Sequence, residues 1–137
     1  MQTRLYREQH GRIRQLAAGL QGAASTQAPA TDLRMELARF SGAVKMHLLG
    51  EDEGLYPRLL EHPDPAVRAK AEAFQQSMGS LAGAFLAFYE RWVKTGAIEA
   101  DSAGFRTELG DVLAALSRRM ELEDGDLYVL ADRELAA

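Results

Sequence analysis

Residues 47–59 read HLLGEDEGLYPRL. On a helix, His47 and Glu51 stand four residues apart, so an imidazole and a carboxylate leave one face a single turn from each other. Aimed into a helical bundle, that pairing is how carboxylate-bridged metal sites are assembled. The stretch recurs near the other end of the chain. Residues 119–131 read RMELEDGDLYVLA, and superposing Leu55-Tyr56 on Leu127-Tyr128 pairs Glu51 with Glu123 and Asp52 with Asp124. His47 then falls opposite Arg119. Two helices are expected to present the same acidic turn, one beside a histidine and one beside an arginine.

Outward from this stretch the helical period continues. Leu33, Leu37, Phe40, Val44, Leu48, Leu55 and Leu59 mark one helix. Thr31 or Asp32 can cap its start, and it is expected to reach about Glu61. Pro57 lacks a backbone donor and predicts a bend or an early end there. Upstream, Leu5, Ile13, Leu16 and Leu20 predict a first helix over Thr3–Leu20, followed by the small, polar connection QGAASTQAPATD. Downstream, Asp64 suits an N-cap and Pro65 the first position of a third helix running to about Lys94. Phe74, Met78, Leu81, Phe85, Phe88 and Trp92 share a stripe on it, and Gly96 is placed to end it. Asp101 or Ser102 caps a fourth helix to about Arg133, with Phe105, Leu109, Val112, Leu116 and Met120 inward. No strand-like alternation occurs. The expectation is an all-α, up-down-up-down four-helix bundle, with residues 1–137 as a single domain.

At 137 residues and 47% hydrophobic, the chain can sustain one core and is not a disordered sequence. The absence of cysteine excludes disulfides, thiolate metal sites, iron–sulfur clusters and cysteine nucleophiles. A net charge of −4 gives no reason to expect nucleic acid or an anionic membrane as partner. No apolar run approaches the ~18 residues of a spanning helix. The opening MQTRLYREQH is charged where a signal peptide would turn apolar, so a cytoplasmic protein is expected. No phosphate loop, nucleophile elbow or Ser/His/Asp set is present, and no enzyme is expected.

Bundle topology predicts which residues share a level. The second and fourth helices run the same way, so their acidic ends coincide, and the first helix starts at that end with His10. Counting from the turn at Pro63 at the common rise puts Met78 to Ala82 level with His47, and a similar count places Arg119 there. The candidate layer is His10, His47, Glu51, 78–82, Arg119 and Glu123. Two readings stay open. His10, His47, Glu51 and Glu123 are four N/O ligands that can hold one Fe, Zn or Mn ion. Alternatively Arg119 supplies the positive charge and bridges the two carboxylates, unless it points out to solvent. Asp52, Glu53, Glu121, Asp124 and Asp126 form a further acidic set, most of which reads as solvated charge. Tyr56 and Tyr128 read as packing at the bundle's lower end with hydroxyls near water. His62 reads as a turn residue. Gly79 and Gly83 either allow close helix approach or leave a small cavity for a small ligand.

These motifs resemble the hemerythrin-like, or HHE cation-binding, domains. The resemblance is carried by EQH at 8–10, HLLGEDEGLYPRL, a long aromatic third helix, and LEDGDLYVLA at 122–131. It implies a bundle around a non-haem di-iron centre, held by histidines from all four helices and two bridging carboxylates, in proteins that bind dioxygen or sense oxygen or iron. His10 matches the first-helix ligand, His47 and Glu51 the second-helix pair, and Glu123 the fourth-helix carboxylate. Arg119 stands where the family has a fourth-helix histidine. Between Glu72 and Glu90, where the third helix supplies ligands, there is no histidine, aspartate or glutamate. An intact di-iron centre is therefore not expected. The leading expectation is a non-catalytic binding or regulatory module with an incomplete metal layer. The alternative is a mononuclear or non-haem iron protein that senses or handles iron or oxygen. A protein partner or homodimer on the exposed helix faces also stays open.

Overall fold

The computed structural model describes residues 3–135. They form α1 (Arg4–Ser25), α2 (Ala30–Gly54), a short α3 (Tyr56–Leu60), α4 (Pro65–Trp92), one-turn α5 (Ala97–Ala100), α6 (Ser102–Leu122) and α7 (Tyr128–Glu134). Glu123–Leu127 join α6 to α7 as a single π-helical turn. Four long helices carry the architecture. No strand occurs among the described residues, and no helix is long and apolar enough to cross a membrane.

The helix ends follow local chemistry. Asp64 accepts a hydrogen bond from the Ala66 amide at 2.9 Å and Pro65 takes the first position of α4. Asp101 does the same for α6, accepting from the Gly104 amide at 2.9 Å. Gly96, at φ +86°, supplies the left-handed backbone of the turn between α4 and α5. The α2–α3 break falls at Leu55, with Pro57 in the first turn of α3, where a missing amide donor is harmless.

Three expectations are corrected here. α1 does not stop at Leu20 but continues to Ser25, because Gln21, Ala23 and Ala24 favour helix and Ala24 is buried. Neither Thr31 nor Asp32 caps α2; Pro29 holds that position with extended backbone, and Asp32 lies in the first turn, where its charge complements the helix dipole. Leu5 is 61% exposed. Ile13 and Leu20 are buried as expected and Leu16 packs against the core, but the series continues through Tyr6 and His10 rather than Leu5.

The main helix contacts run round the bundle: α1 packs on α2 and α6, and α4 packs on α6 and α2. Above the acidic turns lies one apolar cluster, with Phe40 at its centre, edge-on to Phe85 at 5.6 Å, and Trp92 edge-on to Phe105 at 5.5 Å. Trp92 is tied across to α6 by its indole N–H, which Glu108 accepts, while Arg91 pairs with the same carboxylate. Truncating a ring such as Phe40 to alanine costs about 3–5 kcal/mol. Below lies a second cluster that includes Leu55, Tyr56, Leu59, Leu127 and Tyr128. Between the two clusters the helices bury a polar layer: His10, His47, Glu51, Arg119 and Glu123.

Candidate metal centre

α1 supplies His10, α2 supplies His47 and Glu51, α6 supplies Arg119, and the π turn supplies Glu123. All five are buried, Arg119 being 5% exposed. One donor atom from each of His10, His47, Glu51 and Glu123 lies within 4.8 Å of the others. His10 Nε2 is 3.0 Å from His47 Nε2 and 2.9 Å from Glu123 Oε1. His47 Nε2 is 3.3 Å from Glu51 Oε1 and 3.4 Å from Glu123 Oε1. The four residues singled out in the sequence meet at one point.

The far nitrogens of both rings are already committed. His10 Nδ1 lies 2.8 Å from Asp124 Oδ1, and an ionised carboxylate only accepts, so that nitrogen carries a proton. Asp124 is held in turn by Arg14 at 2.9 Å, and with His10 this keeps its carboxyl below the usual range against the opposing effect of burial. His47 Nδ1 lies 2.8 Å from Gln9 Oε1, again an acceptor. When the rings are neutral, both Nε2 atoms present bare lone pairs to the same space. Outer partners of this kind fix the orientation and tautomer of histidines that bind metals.

Arg119 points inward. Its Nε donates to Glu123 Oε2 at 3.1 Å, Nη2 to Glu51 Oε1 at 3.3 Å, and Nη1 to the Met78 carbonyl at 3.4 Å. The two carboxyls titrate in opposite directions. Burial pushes Glu51 up, an effect that its hydrogen bond to His47 only partly offsets. Burial also opposes the charge on Glu123, but His10, His47 and Arg119 outweigh it and hold that carboxyl far down. Burial likewise disfavours a charged His47, yet its bonds to Glu123 and Glu51 push its pKa up to about 9. Without a bound cation, the layer keeps its charge balance through Arg119 and a proton on His47.

The family model of the hemerythrin HHE cation binding domain matches residues 1–131. The chain belongs to this family. No curated protein and no solved structure matches it.

As a hemerythrin-like domain, its residues fit one ion. The shortest donor separations, 2.9 to 3.4 Å, are those of ligands sharing a cation at about 2.0–2.1 Å, and all four donors lie within 4.8 Å of one another. The guanidinium of Arg119 occupies the side toward α4, and the one α4 group that reaches it is a main-chain carbonyl.

Three partners were missed in the sequence. Tyr128 was expected to place its hydroxyl near water; it is buried instead, donating to Glu51 Oε2 at 2.7 Å and lying 3.0 Å from His10 Nε2. The π turn explains this. Five residues along an α-helix would set Tyr128 about 140° round the axis from Glu123, whereas here the Tyr128 amide closes back on the Glu123 carbonyl and the wider turn brings the ring under the layer. Asp124, read as solvated charge, is the partner of His10. Gln9 escaped notice although it adjoins His10 in EQH. Tyr56 is also buried, and its hydroxyl has no hydrogen-bond partner among the described residues. Below the layer Tyr6 stacks on Tyr128 at 5.8 Å and donates to the Gly50 carbonyl at 3.2 Å. Gly54 makes room for it, since a Cβ there would stand 2.9 Å from the Tyr6 hydroxyl.

Proposed function

We propose that this hemerythrin-like domain holds a single divalent cation between His10, His47, Glu51 and Glu123, and works as a non-catalytic, metal-dependent binding or regulatory module. The observation that carries the reading is the 3.0 Å approach of two Nε2 atoms whose rings both donate their other N–H to fixed acceptors. Two lone pairs at that distance repel unless a proton or a metal ion lies between them. A bound ion would supply Lewis acidity and, if it is iron, a redox couple.

The chain's own groups set what such an ion experiences. Glu51 and Glu123 neutralise it, Tyr128 orients Glu51, and Asp124 and Gln9 orient the imidazoles. Arg119 stands as a fixed positive charge where a second ion would need ligands. The layer lies between two apolar clusters and is almost wholly shielded from solvent. That enclosure suits a module whose packing responds to occupancy better than it suits turnover of a bulky substrate.

Anaerobic titration with Co²⁺ tests the reading. Visible d–d bands saturating at about one equivalent, with a rise in Tm, are expected, because binding to the native state alone stabilises it. Both should vanish in His47→Ala. Neither bands nor a Tm rise in the unaltered protein would overturn it.

A further inference from the structure

We propose that a recess between α2 and α4, floored by Tyr56 and Arg119, binds a small monocarboxylate. The recess holds about 260 Å³. It lies where α4 runs Met78-Gly79-Ser80-Leu81-Ala82-Gly83, four of the six being glycine, alanine or serine, and a Cβ on Gly79 would meet nothing within 4 Å. Leu48, Met78 and Ala82 supply apolar wall, while the exposed Asp52 and Gln75 stand at the rim.

The floor is rich in donors and short of acceptors. Tyr56 is 2% exposed and its buried hydroxyl has no partner among the described residues, an uncommon condition for such a group. Burial and the neighbouring Glu51 push its pKa up, so it remains an O–H donor. Its counterpart in the sequence repeat, Tyr128, spends the same hydroxyl on Glu51. Arg119 engages one N–H on each of its three nitrogens, so two of the five donors of its fork have no acceptor among the described residues.

Two oxygens in one plane on a single carbon are what a guanidinium fork and an adjacent hydroxyl donate to together. The apolar wall favours a short alkyl chain behind them, and Asp52 at the rim disfavours a second negative charge. The charge count rests on the proposed ion: with a divalent cation, Arg119, two carboxylates and neutral imidazoles, the layer is left with one positive charge for the ligand to neutralise. The recess and its unpaired donors do not depend on the ion.

The test is an amide NMR titration of the full chain with acetate, propionate and butyrate at constant ionic strength, with chloride as control, on protein as purified and after Zn²⁺ loading. Metal content is measured separately, so failure of the ion and failure of the recess are distinguishable. Saturable shifts centred on Leu48 and Gly79 are expected, tightening from acetate to butyrate. Tyr56→Phe, which removes an atom without a partner, should weaken binding about tenfold, or about 1.4 kcal/mol. Gly79→Leu, which fills the recess from an open helix position, should abolish it. Neither change should alter metal content. Shifts that do not saturate by about 100 mM, too weak to count as a site, or that chloride reproduces, overturn the proposal. So does saturable binding that survives both substitutions, including binding that requires Zn²⁺ and ignores Tyr56→Phe, since that would be coordination at the ion.

Discussion

His10 and His47 face one another through Nε2 atoms 3.0 Å apart, from adjacent helices, with no other side chain between them. Asp124 and Gln9 hold them that way from behind. Removing a brace should therefore weaken metal binding while all four ligands remain. Asp124→Ala and Gln9→Leu are each expected to lower affinity about 10–100-fold, the usual cost of losing an outer partner. Competition with a chromophoric chelator measures this, and unchanged affinity in both variants would show that the rings are oriented some other way.

Arg119 carries a different burden. It is the one permanent cation against Glu51 and Glu123, and taking one partner from a buried ionic cluster costs about 3–5 kcal/mol. Arg119→Leu should lose on that order in urea denaturation of metal-free protein. Added Zn²⁺ should restore part of the loss by placing positive charge beside the same carboxylates.

The pH dependence follows from His47. Its pKa is raised from 6.5 to about 9 in the folded, metal-free protein, by Glu123 and Glu51 acting against burial. The folded state thus binds this proton more tightly than the unfolded state. The stabilisation is complete below pH 6.5 and is lost as pH climbs through about 9. Thermal melts of metal-free protein should fall across that window, and His47→Gln should flatten the slope. Metal affinity should move the opposite way, rising over the same range, because the ion must displace the proton.

The two tyrosines of the repeat should respond oppositely. Tyr128→Phe strips a buried carboxylate oxygen of its 2.7 Å donor and should cost about 1–3 kcal/mol. Tyr56→Phe removes a hydroxyl that satisfies nothing and should leave Tm unchanged or raised. Equal losses in both variants would mean that Tyr56 has a partner after all.

Much of this architecture can be read without coordinates. Asp64-Pro65 and Asp101 mark their helix starts because capping chemistry is local. Counting residues along antiparallel helices also brings His10, His47, Glu51, Arg119 and Glu123 to one level, since the helical rise is constant. What escaped depends on departures from that regularity. The π turn at Glu123–Leu127 rotates Tyr128 into the layer, and an α-helical count cannot foresee it. Leu5 is exposed because the buried stripe of α1 runs through Tyr6 and His10, and an apolar residue beside a polar one gives no sign of which faces inward. The inward turn of Arg119 stood among the sequence readings, with an outward one left open, because it depends on acceptors from three other segments, only Glu123 being near it in sequence.

The central claim is the number of ions, and elemental analysis tests it most directly. Protein prepared without a histidine tag, offered excess Fe²⁺ anaerobically and then desalted, should retain about one iron per chain, the load four N/O ligands support. His47→Ala should retain essentially none. Two irons per chain would contradict the role given to Arg119, and no iron, with none retained after Zn²⁺ or Mn²⁺ either, would contradict the metal site itself.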